Sequence, residues 1–243
     1  MAFNLASIRK SEGIKAPRVV LYGPHGLGKT TFAAHAPDPI FILTEDGLGN
    51  LEVDHFPLCQ SYQDAIDAIS SLIAEEHRFQ TVVIDSLDWL DNLIWKDINT
   101  RFDAKDLAYG KGAVIAADFW TQVLDGLNSL RGDKDMAVIL LAHCQIKRFD
   151  SPEVEPYDRY SPKLQERSSA LVQEWADCVF FTNLRTIVKQ DDVGFNRSVS
   201  RGITTGERLI YTTERPACLA KNRFSLPDTI PLSWDAFTQH LTK

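Results

Sequence analysis

The residues with the clearest chemical meaning lie near the start of the chain. Gly23-Pro24-His25-Gly26-Leu27-Gly28-Lys29-Thr30 fits the spacing GxxxxGK[ST] at every fixed position, and Thr31 follows. Glycines in such a loop let the backbone wrap closely round an anion, because no Cβ stands in the way. Main-chain N–H groups then face phosphate oxygens. A lysine at the seventh position reaches the β- and γ-phosphates of a nucleoside triphosphate, and the next hydroxyl is a ligand for Mg²⁺. Residues 23–31 are therefore expected to bind ATP with Mg²⁺, with His25 tolerated at a variable position.

Three further residues end apolar runs. Val82-Val-Ile-Asp85 places a carboxylate 55 residues after Thr30. At the end of a buried strand it would share the Mg²⁺ with Thr30. Pro39-Ile-Phe-Ile-Leu-Thr44 is followed by Glu45, which is placed to polarise a water against the γ-phosphate. Asp46 is the fallback, and an exposed loop acid or helix cap is the competing reading. Met136–Ala142 is followed by His143, which can touch the γ-phosphate and report its loss to the next segment. A hydrogen-bonded structural histidine is the alternative there.

These residues need strands to present them. Apolar runs alternate with helical periodicity, the pattern of a mostly parallel sheet covered by helices. Strands are expected at Arg18–Tyr22, Pro39–Thr44, Thr81–Asp85, Met136–Ala142 and Cys178–Thr182. Helices are expected at Lys29–His35, Ser61–Glu76, Leu87–Arg101, Ala113–Arg131 and Leu164–Trp175, with a short one between Ser233 and Lys243. Phe102–Gly112 reads as a loop, Lys147–Ser161 as a mobile loop and Ser200–Gly206 as a turn. Arg208–Thr213 and Ala217–Lys221 read as late strands forming a hairpin. A short N-terminal segment, 1–16, precedes one α/β domain spanning 17–243, since no Pro-, Gly- or Ser-rich linker divides it.

A net charge of -7 argues against a broad, permanently basic surface, though not against a local basic groove or one built by assembly. The four cysteines lie far apart with no CxxC pair, which favours small buried thiols in a reducing compartment over zinc or disulfides. No secretory h-region and no apolar run of membrane-spanning length occurs, so a cytoplasmic protein is expected, with no membrane partner.

The order and spacing of strand-then-Glu45, Val-Ile-Asp85-Ser86 and strand-then-His143 resemble the core of RecA-superfamily ATPases. The resemblance implies a RecA-like P-loop NTPase core, with Glu45 as the catalytic glutamate. It also implies that His143 couples nucleotide state to a DNA-binding loop at 147–161. Leu219-Ala-Lys221-Asn-Arg223 resembles the trans-acting finger of DnaB-type hexameric helicases, in which two cations reach the γ-phosphate of a neighbouring subunit. Two solvated strand-end cations are the plainer reading. His143–Pro152, Tyr157–Tyr160 and Leu171–Asp177 resemble phage-encoded RecA-like ATPases of the single-strand-annealing recombinase group, and Gly110-Lys111-Gly112 also looks typical of them. That likeness spans roughly 17–230. It implies single-stranded DNA, a homo-oligomer with ATP between subunits, and a possible single-strand-binding protein as partners. No separate N-terminal domain of the kind full recombinases carry is expected. Phe3-Asn-Leu-Ala6 fits the FxxA shape by which some recombinases hook a neighbour, but Phe3 and Leu5 anchored on the chain's own core is the preferred reading.

If DNA binds, cations beside aromatics suit single strands, with charge tracking phosphates and rings stacking on bases. The candidates are Lys111 in one segment, and Lys147, Arg148, Phe149, Arg159 and Tyr160 in the other. Acids are interspersed in both. The expected function is an ATPase acting on single-stranded DNA in phage recombination. The alternative is a P-loop switch that binds protein partners in phage replication, and the lack of a compact Arg-rich lid disfavours a small-molecule kinase.

Overall fold

The computed structural model describes residues 4, 5, 8, 10, 13, 15–192 and 198–241, with side chains described except at 188–192 and 198–203. The strands are β1 (Arg18–Gly23), β2 (Pro39–Leu43), β3 (Asp54–His55), β4 (Thr81–Asp85), β5 (Ala137–Phe149), β6 (Tyr157–Pro162), β7 (Cys178–Asp192), β8 (Ser198–Tyr211), β9 (Lys221–Asn222) and β10 (Thr229–Pro231). The helices are α1 (Lys29–Ala34), α2 (Tyr62–Ala74), α3 (Leu87–Arg101), α4 (Ala104–Leu107), α5 (Lys111–Asp133), α6 (Glu166–Trp175) and α7 (Trp234–Thr238).

The main sheet runs β10-β8-β7-β1-β5-β4-β2-β3. From β7 to β3 every neighbouring pair is parallel, while β8, β9 and β10 join antiparallel. This is the mostly parallel, helix-flanked α/β sheet expected from the sequence. Strands buried on both faces read as unbroken apolar runs. Side chains nonetheless alternate between two cores, as the two-residue period of a strand requires. Val20 and Tyr22 of β1 face the core under α2, α3, α5 and α6, whereas Val19 and Leu21 face the core under α1 and α7. Because β5 lies between β1 and β4, Gly23 pairs with His143 on one side, and Asp85 pairs with Leu141. The topology thus brings the carboxyl ends of β1, β2, β4 and β5 to one edge, where ligands of open α/β sheets bind.

Local sequence signals set several boundaries. Ser61 opens α2 with a capping box: its Oγ accepts from the Asp64 N–H at 3.2 Å, and the Asp64 carboxylate accepts from the Ser61 N–H at 3.0 Å. Gly110 precedes α5 in the left-handed region with φ 80°.

Five expectations need correction. Of the expected loop at 147–161 only 150–156 is a loop, because β5 continues to Phe149 and pairs antiparallel with β6, from Cys144↔Pro162 to Phe149↔Tyr157. The ribbon is rich in charged and polar residues such as Lys147, Arg148, Asp158 and Arg159, so no run of apolar alternation marks its strands. Residues 200–206 belong to β8, which pairs with β7 as the late hairpin, and of 217–221 only Lys221 enters a strand. The segment 102–112 contains α4 and the first turn of α5, with Gly112 packed so closely on the Trp95 ring that a Cβ would lie 3.1 Å from it. Leu5 is 86% exposed and so is not anchored on the core, whereas Phe3 and Ala6 lie outside the described residues. The four cysteines are free, and all but half-buried Cys144 are buried. Among the described residues no helix is long and apolar enough to cross a membrane.

Candidate functional site

The loop between β1 and α1 is shaped by close approach. A Cβ at Gly23 would collide with the Thr182 carbonyl of the adjacent β7. Gly28 turns into α1 with φ 96°, a conformation side chains disfavour. Lys29 is buried at the first turn of α1, and its Nζ donates to the carbonyls of Gly23 at 3.1 Å and Pro24 at 2.9 Å. Burial lowers its pKa, opposed by the Asp85 carboxylate. These two carbonyl bonds hold the ammonium across the mouth of its own loop.

Thr30 Oγ1 donates to Asp85 Oδ2 at 2.8 Å, joining the loop to the end of β4. Burial pushes the Asp85 carboxyl up, partly offset by the Thr30 hydrogen bond, and the Glu45 charge pushes it further up. A hydroxyl and a buried carboxylate side by side are hard oxygen donors, the set Mg²⁺ takes together with phosphate oxygens. A divalent cation there would also favour the ionised carboxylate that burial disfavours. The residues therefore fit the metal.

The end of β2 is fastened to the same place. Thr44 Oγ1 donates to the Ser86 carbonyl at 2.6 Å and accepts from the Ser86 N–H at 2.8 Å, while the Thr44 N–H donates to the Asp85 carbonyl at 2.8 Å. Glu45 is held by this clamp at the rim of a cavity of about 440 Å³ that also receives Gly26, Lys29, Thr30, Asp85 and His143. His25, Gly28 and Thr31 line it too. Leu27 is buried away from it, and Pro24 contributes its carbonyl to Lys29.

Two charged residues at or beside the cavity, Asp88 and Arg208, are not marked by the sequence. Asp88, in the first turn of α3, accepts from the His143 backbone N–H at 3.0 Å, and its Oδ2 lies 2.9 Å from His143 Nδ1. This leaves Nε2 facing Glu45, with Oε1 at 4.0 Å. The Asp88 hydrogen bond raises the His143 pKa against the opposing effect of burial. Burial alone would raise Asp88, but the bonds from His143 win and hold its carboxyl below the usual range. In sequence Asp88 reads as an ordinary acid near a helix N-terminus, and only the distance to His143 distinguishes it. Arg208 of β8 also lines the cavity, and its Nη1 lies 3.1 Å from where a Gly28 Cβ would stand. Nothing local to 208 in the sequence signals that proximity.

The remaining candidates lie elsewhere. Lys221 Nζ donates to three carbonyls at the end of α6, those of Gln173, Glu174 and Ala176, at 2.7–2.9 Å. Arg223 lies 3.4 Å from Asp177, with its side chain 52% exposed. Neither enters the cavity of its own chain. Lys147, Arg148, Phe149 and Arg159 line a second cavity of about 440 Å³ between the β5–β6 ribbon and α6. The Arg159 guanidinium lies 3.9 Å above the Phe149 ring and 2.8 Å from Glu214. Tyr160 departs from this group, since its ring stacks on Phe181 at 4.9 Å. Lys111 is exposed at the start of α5.

The AAA_24 family model, described as an AAA domain, matches residues 15–224. The SPbeta prophage-derived uncharacterized protein YorG of Bacillus subtilis (strain 168) is 22% identical over 224 residues, covering 90% of this chain. The chain spans 63% of the length of that relative. The crystal structure of the RadB recombinase aligns with a TM-score of 0.49 and 15% identity, over 91% of this chain and 90% of that one. With the family model covering most of the chain and a complete phosphate loop set against Asp85, the chain belongs to the AAA_24 family of P-loop ATPases.

Proposed function

We propose that this protein hydrolyses ATP and uses the cycle to act on single-stranded DNA, in phage recombination by annealing or strand exchange. The observation that carries this reading is the continuity of β5. One strand leaves the core sheet at Ala137, passes the nucleotide cavity at His143, and ends in the ribbon bearing Lys147, Arg148 and Phe149. A change at the γ-phosphate felt by His143 would be transmitted along a stiff strand to cations and rings suited to single strands. The likeness to a prophage-derived relative supports the phage setting.

In this reading the loop at 23–31 cradles the triphosphate, with Lys29 on its β- and γ-phosphates. Thr30 and Asp85 hold the Mg²⁺, which when bound neutralises phosphate charge. Glu45 orients the attacking water and takes its proton. His143, held by Asp88, contacts the γ-phosphate through Nε2. Subunits assemble with ATP between them, and Arg223 is the better placed of the two finger candidates. Its side chain is half exposed, whereas Lys221 is held by three carbonyls. Turnover per subunit then rises with protein concentration, and a strictly concentration-independent rate would remove the finger from the mechanism.

The decisive test is a fluorescence-anisotropy titration of a labelled oligonucleotide, with and without a slowly hydrolysed ATP analogue, alongside matched turnover. Nucleotide-dependent binding and DNA-stimulated hydrolysis are expected. Absence of both at moderate salt would favour a second reading, an ATPase switch that grips a protein partner. That reading is supported by Ile146 and Val154, apolar side chains 63% and 58% exposed in the ribbon and its tip.

A further inference from the structure

Asp85, Asp88 and Asp91 follow one another at the junction of β4 and α3, and all three are buried. Each reaches a different element. Asp85 accepts from Thr30 Oγ1 at the start of α1, and Asp88 accepts from the His143 N–H in β5. Asp91 accepts from Trp120 Nε1 of α5 at 2.7 Å and from the Gln165 N–H at 3.4 Å. Gln165 is the residue that caps α6. Positions three apart are neighbours on a helix surface, so Asp88 and Asp91 act from one face of α3.

His143 and Gln165 are the two roots of the β5–β6 ribbon. The Lys163 N–H donates to the His143 carbonyl at 2.9 Å, and Gln145 Nε2 donates to the carbonyls of Pro162 and Leu164 at 2.9 and 3.2 Å. The start of α3 therefore holds both roots, directly after the carboxylate at the metal position. α6 is also a wall of the second cavity, where Glu166, Ser169 and Gln173 join Lys147, Arg148 and Phe149 of the ribbon.

The chemistry at position 91 suits a link of this kind. A buried carboxylate is costly unless its oxygens are satisfied. The two donors meet different oxygens, Trp120 on Oδ1 and Gln165 on Oδ2. A carboxylate accepts on both, whereas an amide would turn its NH2 against one of the N–H groups. Its place at the N-terminus of α6 adds the attraction of the helix dipole.

We propose that Asp91 is a positioning residue that carries the state of the nucleotide site to α6, so that both walls of the second cavity are set from the single segment 85–91. The inference rests on the reading that β5 reports the nucleotide to the ribbon, and it adds a second connection that bypasses His143. Ribbon and helix then shift together, instead of one strand moving against a fixed wall.

The test is hydrogen exchange followed by mass spectrometry on the full chain, in Mg²⁺ with and without a slowly hydrolysed ATP analogue. In wild type the analogue should slow exchange about tenfold or more over 23–31, 143–149 and 163–175. In Asp91→Asn the shorter Trp120 bond keeps the amide oxygen and the contact to Gln165 is lost. Slowing should then persist over 23–31 and 143–149 but shrink to within about twofold over 163–175. Trp120→Phe removes the other donor and should keep the wild-type pattern, which separates the link to α6 from general packing around Asp91. Three outcomes overturn this inference alone: wild type slowed over 23–31 and 143–149 but not over 163–175, Asp91→Asn slowed over all three, or Trp120→Phe matching Asp91→Asn. Wild type slowed over 23–31 only overturns the β5 reading and this inference with it. The wild-type measurement is thus decisive even if a variant fails to fold, which far-UV circular dichroism checks.

Discussion

The Asp88 carboxylate grips His143 at two points, the backbone N–H at 3.0 Å and the ring Nδ1 at 2.9 Å. Two elements far apart in sequence, the first turn of α3 and the middle of β5, are thereby locked in register at the edge of the nucleotide cavity. With Nδ1–H committed to the carboxylate, Nε2 is the nitrogen left to meet Glu45 or a γ-phosphate oxygen. The chemistry assigned to His143 therefore depends on a residue that need not touch the nucleotide.

Asp88→Asn should keep the shape and remove the charge. Loss of a charge-assisted bond of this kind is expected to cost about 1.5–3 kcal/mol of stability. Turnover should fall by roughly tenfold or more as the ring loses its fixed orientation. The His143 titration, followed by NMR, should move back down towards 6.5. An unshifted titration with unchanged turnover would show that the carboxylate is not what orients the ring.

The same pair fixes a pH dependence. Asp88 raises His143 above its ordinary 6.5, so the pair's contribution to stability is complete below that value and is lost as pH rises through the raised one. Asp88, held low, loses its contribution only as pH falls through its own depressed value. The stability difference between wild type and His143→Gln should therefore be larger at pH 6 than at pH 9, as measured by denaturant unfolding. A difference that grows with pH contradicts the assignment.

Lys29 and Glu45 should fail differently. Lys29→Ala should lose nucleotide binding along with turnover, because the cation that holds the β- and γ-phosphates is gone. Glu45→Gln should bind nucleotide normally and hydrolyse it about 10²-fold or more slowly, the usual range for removing a general base. Single-turnover kinetics with separate binding measurements checks both. Normal hydrolysis in Lys29→Ala would remove the loop from the mechanism, and normal hydrolysis in Glu45→Gln would pass the role to Asp46.

Asp85→Asn should raise the Mg²⁺ concentration needed for half-maximal turnover, because Thr30 loses its anionic partner at the metal position. Titrating Mg²⁺ at fixed ATP reads this directly, and an unchanged requirement would place the metal elsewhere.

On the ribbon, Lys147→Glu with Arg148→Glu should weaken single-strand binding and flatten its salt dependence, because two phosphate contacts are reversed in sign. Oligonucleotide anisotropy at several salt concentrations measures both. Tyr160→Ala should act mainly through stability, since its ring stacks on Phe181 inside the fold. Equal loss of DNA binding in Tyr160→Ala at unchanged stability would return that residue to the interface.

The phosphate loop, the apolar strands and the polar residues at their ends were legible early, because each is written in contiguous residues with its own period or spacing. The loop's glycines, the runs ending at Thr44, Asp85 and Ala142, and the alternation of strands with helices all carry local physical signals. The β5–β6 ribbon was illegible because its charged and polar residues leave no apolar alternation to read. The outer parts of β7 and β8 are rich in polar and charged residues and carry no apolar run to read. That Asp88 meets His143, that Arg208 reaches Gly28, and that Lys221 caps α6 within its own chain is visible in the folded chain alone. Each of these is a side-chain meeting between elements distant in sequence. It is set by strand order and register, which no stretch of residues specifies alone.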